Sequence, residues 1–368
     1  MRIAIVSDTF YPDINGISTS LLNHLSYLSK DNKIIVFTVE KKDSPKLDNI
    51  KFVYFKKFKF LKTIDLAVPN QKLFDKEFDN FETDVLNIHT PSPLALAAIK
   101  KAKRSKVPII ATYHSILAEQ LGYLPIPKAP KIPKLKSLSW RYTIKFYNSI
   151  NLIIAPSNFV KKILVSKGVK TPIEIVSNGV DQKNFHKTVT EKYVIPTILF
   201  IGRLGYEKNI DVLIKAFKNV ESNYKLLIIG DGPDYKKLKS LSEKLKLKNI
   251  IFKGFIKNDD LIEYYNKAHI FITLSKVETE GIVILEAMMC GLPIICINQG
   301  ASKDIVKNNF NGFVVKDSLQ DISNAINLLI KNNSLREKFS SNSIWLAKKY
   351  DVKNSINKLE KIYKRIRS

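Results

Sequence analysis

The feature of this sequence that most restricts its fold is an alternation. Short apolar runs of strand length recur along the chain, separated by segments with helical spacing. In the first half the runs are RIAIVS, NKIIVFTV, DVLNIH, VPIIATY, NLIIAPS and IEIVSN, with helix-like stretches such as 18–30 and 93–105 between them. In the second half TILFIGR, YKLLIIGD, NIIFKGF, HIFITLS and LPIICIN repeat the scheme around helices over roughly 210–220, 235–247, 261–267 and 282–289. Such alternation predicts an α/β architecture of parallel strands joined by crossover helices. The polar stretch NGVDQKNFHK interrupts it near the middle. A chain of 368 residues is also longer than the roughly 250 to 300 at which single cores stop growing. Two Rossmann-like, doubly wound domains are therefore predicted, 1–183 and 184–350, facing each other across a cleft, with 351–368 a C-terminal helix closing the fold. Ligands in such sheets sit beyond the carboxyl ends of the strands.

Several classes are set aside by what the chain lacks. Its two cysteines, Cys290 and Cys296, are too few for a disulfide framework or a cysteine zinc site and favour a reducing compartment. The first residues, MRIAIVSD, leave no room for the apolar core of a signal peptide, and no apolar run reaches the roughly 18 to 20 residues of a membrane span. A cytoplasmic protein is expected. The net charge of +26 is unevenly placed: from Val85 to Ile173 the sole acid is Glu119, whereas lysines and arginines recur throughout. A surface of this kind suits an anionic partner, either nucleic acid or an acidic membrane leaflet. Solvated lysines are the alternative, and the near absence of compensating acids argues against it.

Loops that leave a strand and enter a helix are where phosphate would bind. In SDTFYPDINGISTS, Gly16 precedes a helix that Ser18 or Thr19 could cap, and it would let backbone N–H groups approach an anion. A turn glycine without a ligand explains it equally. In FIGRLGYEKNIDVLIKAF, Arg203 and Lys208 could clamp a diphosphate from two sides, with surface solvation as the alternative. The run KVETEGIVILEAMMCGLPIICI is fit for a core yet carries Glu278, Glu280 and Glu286. If a helix begins near Gly281, its N–H groups attract an anion, while the carboxylates of Glu278 and Glu286 suit the hydroxyl pairs of ribose or a hexose. Helix-start acids favoured by the macrodipole would explain Glu280 and leave Glu286 unexplained. A cationic clamp beside diol-binding carboxylates describes a nucleotide-sugar site.

At these residues the chain resembles a known family. VETEGIVILEAMMCGLP is similar to the E-x(7)-E signature of the family 4 retaining glycosyltransferases of the GT-B fold, with Glu278 and Glu286 as the pair. DTFYPDINGIS, TYHS, IAPSNFVKKIL, IEIVSNGVD, FIGRLGYEKNIDVLIKAF and IIGDGPD follow in the family's order, so the resemblance spans nearly the whole chain. SKVETEGIVILEAM, NIHTPSPLALAAIKKAK and TYHSILAEQLGYL also look like the bacterial diacylglycerol glycosyltransferases, which usually have glutamine where this chain has Glu280.

The resemblance implies transfer of glucose or galactose from a UDP-sugar to diacylglycerol on the cytoplasmic side of the cell membrane, by a peripheral enzyme. It implies Glu286 on the ribose, Glu278 on the hexose, and Arg203 and Lys208 on the diphosphate with the Gly16 backbone opposite. It further implies Gly281 and Ile282 on donor sugar and phosphate, uracil near Phe255 and Ile256, and His114 facing the reacting centre. A lone histidine after a strand is more often structural, but this one ends a strand where ligands bind. Fixed cations would stabilise the departing UDP. No D-x-D triplet occurs, so no metal or other cofactor is expected.

Residues 121–149, LGYLPIPKAPKIPKLKSLSWRYTIKFYNS, interleave Lys128, Lys131, Lys134, Lys136, Arg141 and Lys145 with apolar residues, Trp140 and Tyr142. Two helical turns at the end could lay an apolar stripe on a bilayer while the cations meet acidic headgroups; the proline-rich start is expected to be extended. A glycosyltransferase for another lipid or a soluble glycan is the nearer rival. A nucleic-acid binder is the distant one, since no RNP, zinc-finger or helix-turn-helix signature accompanies the charge.

Overall fold

The structure, a computed structural model, describes all residues but 14, 41–44, 46, 62–63, 115–132, 221–222 and 368, and omits the side chains of 60, 61, 64 and 133. The chain divides into two compact units, Met1–Asn178 together with Val352–Ser368, and Gly179–Asp351.

The first unit is built on a seven-stranded parallel sheet, ordered β3-β2-β1-β6-β7-β8-β9. Its strands are β1 Arg2–Val6, β2 Lys33–Val39, β3 Ile50–Phe55, β6 Val85–Ile88, β7 Ile109–Thr112, β8 Leu152–Ala155 and β9 Ile173–Ile175. An antiparallel hairpin, β4 Lys57–Leu61 and β5 Ile64–Ala67, follows β3. The helix Gly16–Leu28 places Leu21, Leu25 and Leu28 on Ile3, Ile5 and Val36. Onto the same cluster the helix Val352–Arg367 lays Val352, Ile356, Leu359, Ile362 and Tyr363, a stripe at helical spacing. Each such burial contributes about 1.5–3 kcal/mol. The Asn87 amide donates to Tyr363 Oη at 2.8 Å, so the last helix belongs physically to the first unit.

The second unit carries a six-stranded parallel sheet, ordered β12-β11-β10-β13-β14-β15. The strands are β10 Thr197–Ile201, β11 Lys225–Ile229, β12 Ile250–Gly254, β13 Ile270–Thr273, β14 Ile294–Ile297 and β15 Gly312–Val315. Successive side chains alternate between faces. Leu199, Ile201, Leu227 and Phe271 therefore meet the helix Ile282–Met289 on one side. Ile198, Phe200, Ile228 and Ile272 meet the helices Ile210–Phe217 and Leu319–Lys331 on the other. Because both faces are covered, β10, β11, β13 and β14 read as nearly unbroken apolar runs.

The structure adds elements that the pattern did not announce. Strands β3 and β15 lie at sheet edges. In β3 half-buried and exposed positions interrupt the buried ones, which weakens the apolar run. The helix at the end of the basic segment is longer than two turns: it runs over Pro133–Tyr147, fifteen residues. The helix after β1 is capped by neither Ser18 nor Thr19. Asn15 does so, its side chain accepting from the N–H groups of Ile17 and Ser18. No helix among the described residues is long and apolar enough to cross a membrane.

Candidate functional site

In the second unit the chain passes from β10 outward to β11 on one side, and β13 sits on the other. That is a topological switch point, where the loops beyond the strand ends part and leave a crevice. The loop after β10 carries Arg203 and Lys208. The loop after β13 carries Glu278 and leads to Gly281.

Backbone contacts fix these loops against one another. Leu204 N–H donates to Asp231 O at 2.9 Å and Gly202 N–H to Ile229 O at 3.0 Å, which locks the loop after β10 to that after β11. The approach is so close that a methyl group on Gly230, at φ +135°, would lie 1.9 Å from Gly202 O. Arg203 projects from this junction and is exposed. Lys208 ends a 3-10 turn, Tyr206–Lys208, to which the loop after β13 is tied by Lys276 N–H donating to Glu207 O at 3.1 Å. The Lys208 ammonium forms an ion pair with Oε1 of Glu278, both side chains being mostly buried. Ala301, in the loop after β14, donates its N–H to Glu278 O at 3.0 Å. Loops from three strands thus converge on the Lys208–Glu278 pair.

Gly281, at φ +92°, turns the chain into the helix Ile282–Met289, whose first turn carries no acid. Its first N–H groups have no partner within the helix. One and a half turns on, Glu286 is buried and accepts a hydrogen bond from Tyr265 Oη at 2.7 Å. Burial pushes its carboxyl up to about 7, against the pull of the Tyr265 bond. Phe255 follows β12 and is 53% exposed, while Ile256 packs against the core. The residues expected at the donor site, Arg203, Lys208, Phe255, Ile256, Glu278, Gly281 and Ile282, lie beyond the carboxyl ends of β10, β12 and β13 or at the start of the helix that follows, and Glu286 lies further inside that helix. Tyr265 was not foreseen, because a tyrosine inside the amphipathic run LIEYYNK reads as core.

The first unit has its own switch point, between β1 and β6. Gly16 opens the helix after β1. Asp8, buried at the end of β1, accepts from Ala67 N–H at 3.0 Å and Thr90 Oγ1 at 3.3 Å; burial raises its pKa against these bonds. His114, after β7, stacks on His89, after β6, with ring centres 5.0 Å apart and Nε2 2.8 Å from His89 Nδ1. Burial, then the charge of His24, lowers His114 to about 3, and burial also drives His89 well down. Both rings are therefore neutral near neutral pH, a donor–acceptor pair rather than a fixed cation. His89 and Asp8 were missed at the sequence level, though each follows a strand, as His114 does.

Of the basic segment, Lys128 and Lys131 lie outside the described residues. On the helix Pro133–Tyr147, Lys134, Leu138, Arg141 and Lys145 form an exposed stripe with Leu138 52% exposed, whereas Lys136 is half-buried. Trp140 is half-buried, its ring beneath the Lys167 ammonium at 5.4 Å, and Tyr142 Oη donates to Pro91 O at 2.9 Å. The apolar component of the outer face is thus Leu138 rather than Trp140. No cluster of three or more His, Cys, Asp or Glu residues among the described residues could hold a metal ion.

Comparison with known proteins gives two family matches: "Glycosyltransferase Family 4" over residues 14–184 and "Glycosyl transferases group 1" over 181–344. The chain is 26% identical to the alpha-monoglucosyldiacylglycerol synthase of Streptococcus pneumoniae, over 85% of this chain and 74% of that protein. It is 24% identical to a GDP-mannose-dependent alpha-mannosyltransferase of Mycobacterium tuberculosis, over 86% of this chain and 84% of that protein. Among solved structures, Anabaena HepE in complex with UDP and glucose superposes with a TM-score of 0.79 at 18% identity, covering 99% of this chain and 100% of that one. Sucrose-phosphate synthase from Thermosynechococcus elongatus gives 0.82 at 15% identity, covering 99% and 98%. The structural likenesses, at such identities, establish the fold.

Proposed function

Since this chain belongs to the family 4 retaining glycosyltransferases of the GT-B fold, we propose that it moves glucose, or galactose, from a UDP-sugar to diacylglycerol at an anionic membrane surface. The observation that carries the lipid acceptor is the exposed stripe of Lys134, Leu138, Arg141 and Lys145 on the helix Pro133–Tyr147. An apolar residue among cations suits an acidic headgroup layer, and a soluble acceptor would not call for it. The alpha-monoglucosyldiacylglycerol synthase among the relatives supports the same reading.

In this reading the second unit holds the donor. Arg203, Lys208 and the N–H groups from Gly281 and Ile282 hold the diphosphate, Glu286 the ribose, Glu278 the hexose, and the segment Phe255–Ile256 the uracil. On the first unit, the same reading makes Gly16 and His114 ligand-facing residues beyond the carboxyl ends of β1 and β7. As the anomeric bond to UDP breaks, negative charge grows on the diphosphate, and cations already fixed there lower the barrier without reorganising. The acceptor hydroxyl attacks from the face that UDP leaves, its proton passing to the departing phosphate, so configuration is retained without a glycosidase-like carboxylate pair. Lys208 meets Glu278 in the protein itself. That pair positions the ammonium and leaves it further N–H donors for the phosphate. No divalent cation is required in this scheme; loss of activity in chelator that magnesium restores would refute that part.

The test is transfer by the purified protein into dioleoylglycerol in mixed anionic vesicles, with radiolabelled UDP-glucose, UDP-galactose and GDP-mannose offered separately. A labelled monohexosyl lipid from a UDP-sugar is expected. Label from GDP-mannose alone would overturn the donor, and label in no lipid would overturn the acceptor.

A further inference from the structure

On the second unit, Trp345 projects from the helix Asn333–Ala347 and is 64% exposed. Its ring meets that of Phe310, itself 37% exposed, edge to face at 5.9 Å. The turn that carries Phe310 is tied down by hydrogen bonds. Phe310 N–H donates to Lys307 O at 3.0 Å, Asn309 N–H to Gly312 O at 2.9 Å, and the Asn342 amide to Phe310 O at 2.7 Å. The buried side chain of Asn311 accepts from Lys307 N–H at 2.7 Å. A turn already ordered in this way loses little conformational freedom when its aromatic ring docks.

Cations surround it. Lys338 precedes Trp345 by two helical turns, Lys349 follows it by one, and Lys307 lies on the turn beside Phe310; all three are exposed. Burial, and then the charge of Lys307, lowers the Lys349 pKa. The neighbouring acids are engaged or partly withdrawn. Glu337 accepts from Asn333 at 3.1 Å, and Asp304 and Asp351 are half-buried. Like charges gathered around an exposed indole repel one another in water. Against a sheet of acidic headgroups the same arrangement is complementary, with ammonium groups on phosphates and the indole at the polar–apolar boundary.

We propose that the Phe310–Trp345 pair, with Lys307, Lys338 and Lys349, docks the donor-binding unit on an anionic lipid surface. This contact is additional to the basic helix Pro133–Tyr147, and it rests on the lipid-acceptor reading only in that both concern a membrane.

The chain has two tryptophans, Trp140 and Trp345, so Trp140→Phe leaves Trp345 as the one indole. Its emission is followed against vesicles of phosphatidylcholine, and of phosphatidylcholine with phosphatidylglycerol, each with and without brominated acyl chains. A blue shift and bromine quenching on the anionic vesicles alone are expected, and each lysine neutralised should weaken binding roughly fivefold. Trp345→Ser in the otherwise unaltered chain should weaken sedimentation with anionic vesicles several-fold. Unchanged emission while the protein sediments with the vesicles, or no sedimentation at all, overturns the proposal. So does a shift that follows protein concentration without lipid, which would mark a contact between copies. The transfer assay separates the two readings. Glycolipid made while Trp345 stays unquenched removes this surface alone, and quenching without glycolipid removes the acceptor alone.

Discussion

The hydroxyl of Tyr265 donates to Oε2 of Glu286 at 2.7 Å, between side chains that are both buried. Desolvation raises the Glu286 carboxyl from 4.5 to about 7, so its charge changes within the working range of pH. The bond from Tyr265 favours the carboxylate, which is the form that accepts two ribose hydroxyls.

The sign of the stability effect follows from the upward shift. Between pH 4.5 and about 7 the native protein keeps a proton that the unfolded chain has lost. This contribution is fully present at the acid end of that window and is lost as pH rises through about 7. Glu286→Gln does not titrate there, so its stability relative to the parent should rise between pH 5 and pH 9, by at most about 3 kcal/mol at roughly 1.4 kcal/mol per pKa unit. Urea denaturation of both proteins at the two pH values measures it. A pH-independent difference would contradict the assignment. Tyr265→Phe should weaken UDP binding at pH 7 several-fold and recover part of it at pH 9, read by calorimetry.

Lys208 and Glu278 are paired where water has little access. Removing one partner from such a pair leaves a charge without its counterpart, which destabilises by more than removing both. Lys208→Met and Glu278→Gln should each lower stability by about 1–3 kcal/mol, and the double variant by less than their sum. Lys208→Met should lower the rate of transfer roughly 10²- to 10³-fold, as for loss of one donor fixed at developing charge, and Glu278→Gln should lower it through the lost hold on the hexose and on Lys208. A double-mutant cycle by denaturation, with initial rates on the same proteins, tests both; additive losses would mean that the pair is not coupled.

The sheets were legible because strands covered on both faces leave unbroken apolar runs, and β1, β10 and β13 are such strands. The positions of Arg203, Lys208, Glu278 and Glu286 were legible as polar residues placed just beyond those runs or inside one. What the sequence could not convey was partnership across distance. Lys208 meets Glu278 through the meeting of two loops, Tyr265 meets Glu286 through the packing of two helices, and His89 meets His114 because β6 and β7 are neighbours. Trp140 has a partner of the same unforeseen kind. Its place in a basic, amphipathic run did not reveal that Lys167, after a later helix, covers its ring.

The outer stripe of the helix Pro133–Tyr147 makes a separable prediction. Lys134, Arg141 and Lys145 replaced together by alanine should reduce affinity for anionic vesicles about a hundredfold, since each charge near an acidic surface contributes about 1 kcal/mol. UDP affinity should be unchanged, because the substitutions lie outside the second unit. Sedimentation with vesicles and calorimetry with UDP check the two halves. Equal binding by variant and parent would shift membrane attachment away from this helix.

The last prediction concerns the junction that aims Arg203. Gly230 holds a positive φ of +135°, and the space where a side chain would begin is filled by Gly202 O at 1.9 Å. Alanine there meets two obstacles at once, a backbone conformation that L-residues rarely adopt and a backbone oxygen that cannot rotate away. The loop after β10 must then move, and the Leu204–Asp231 bond at 2.9 Å that ties it to the loop after β11 must lengthen. Gly230→Ala is expected to destabilise the protein by about 2–4 kcal/mol and to weaken UDP binding by tenfold or more. Gly168→Ala provides the contrast. It too has a positive φ, +100°, but nothing lies within 4 Å of its added methyl, so it should show conformational strain without a change in UDP affinity. Denaturation and UDP titration of both variants decide the matter: equal UDP affinities would show that the contact between the loops does not position Arg203.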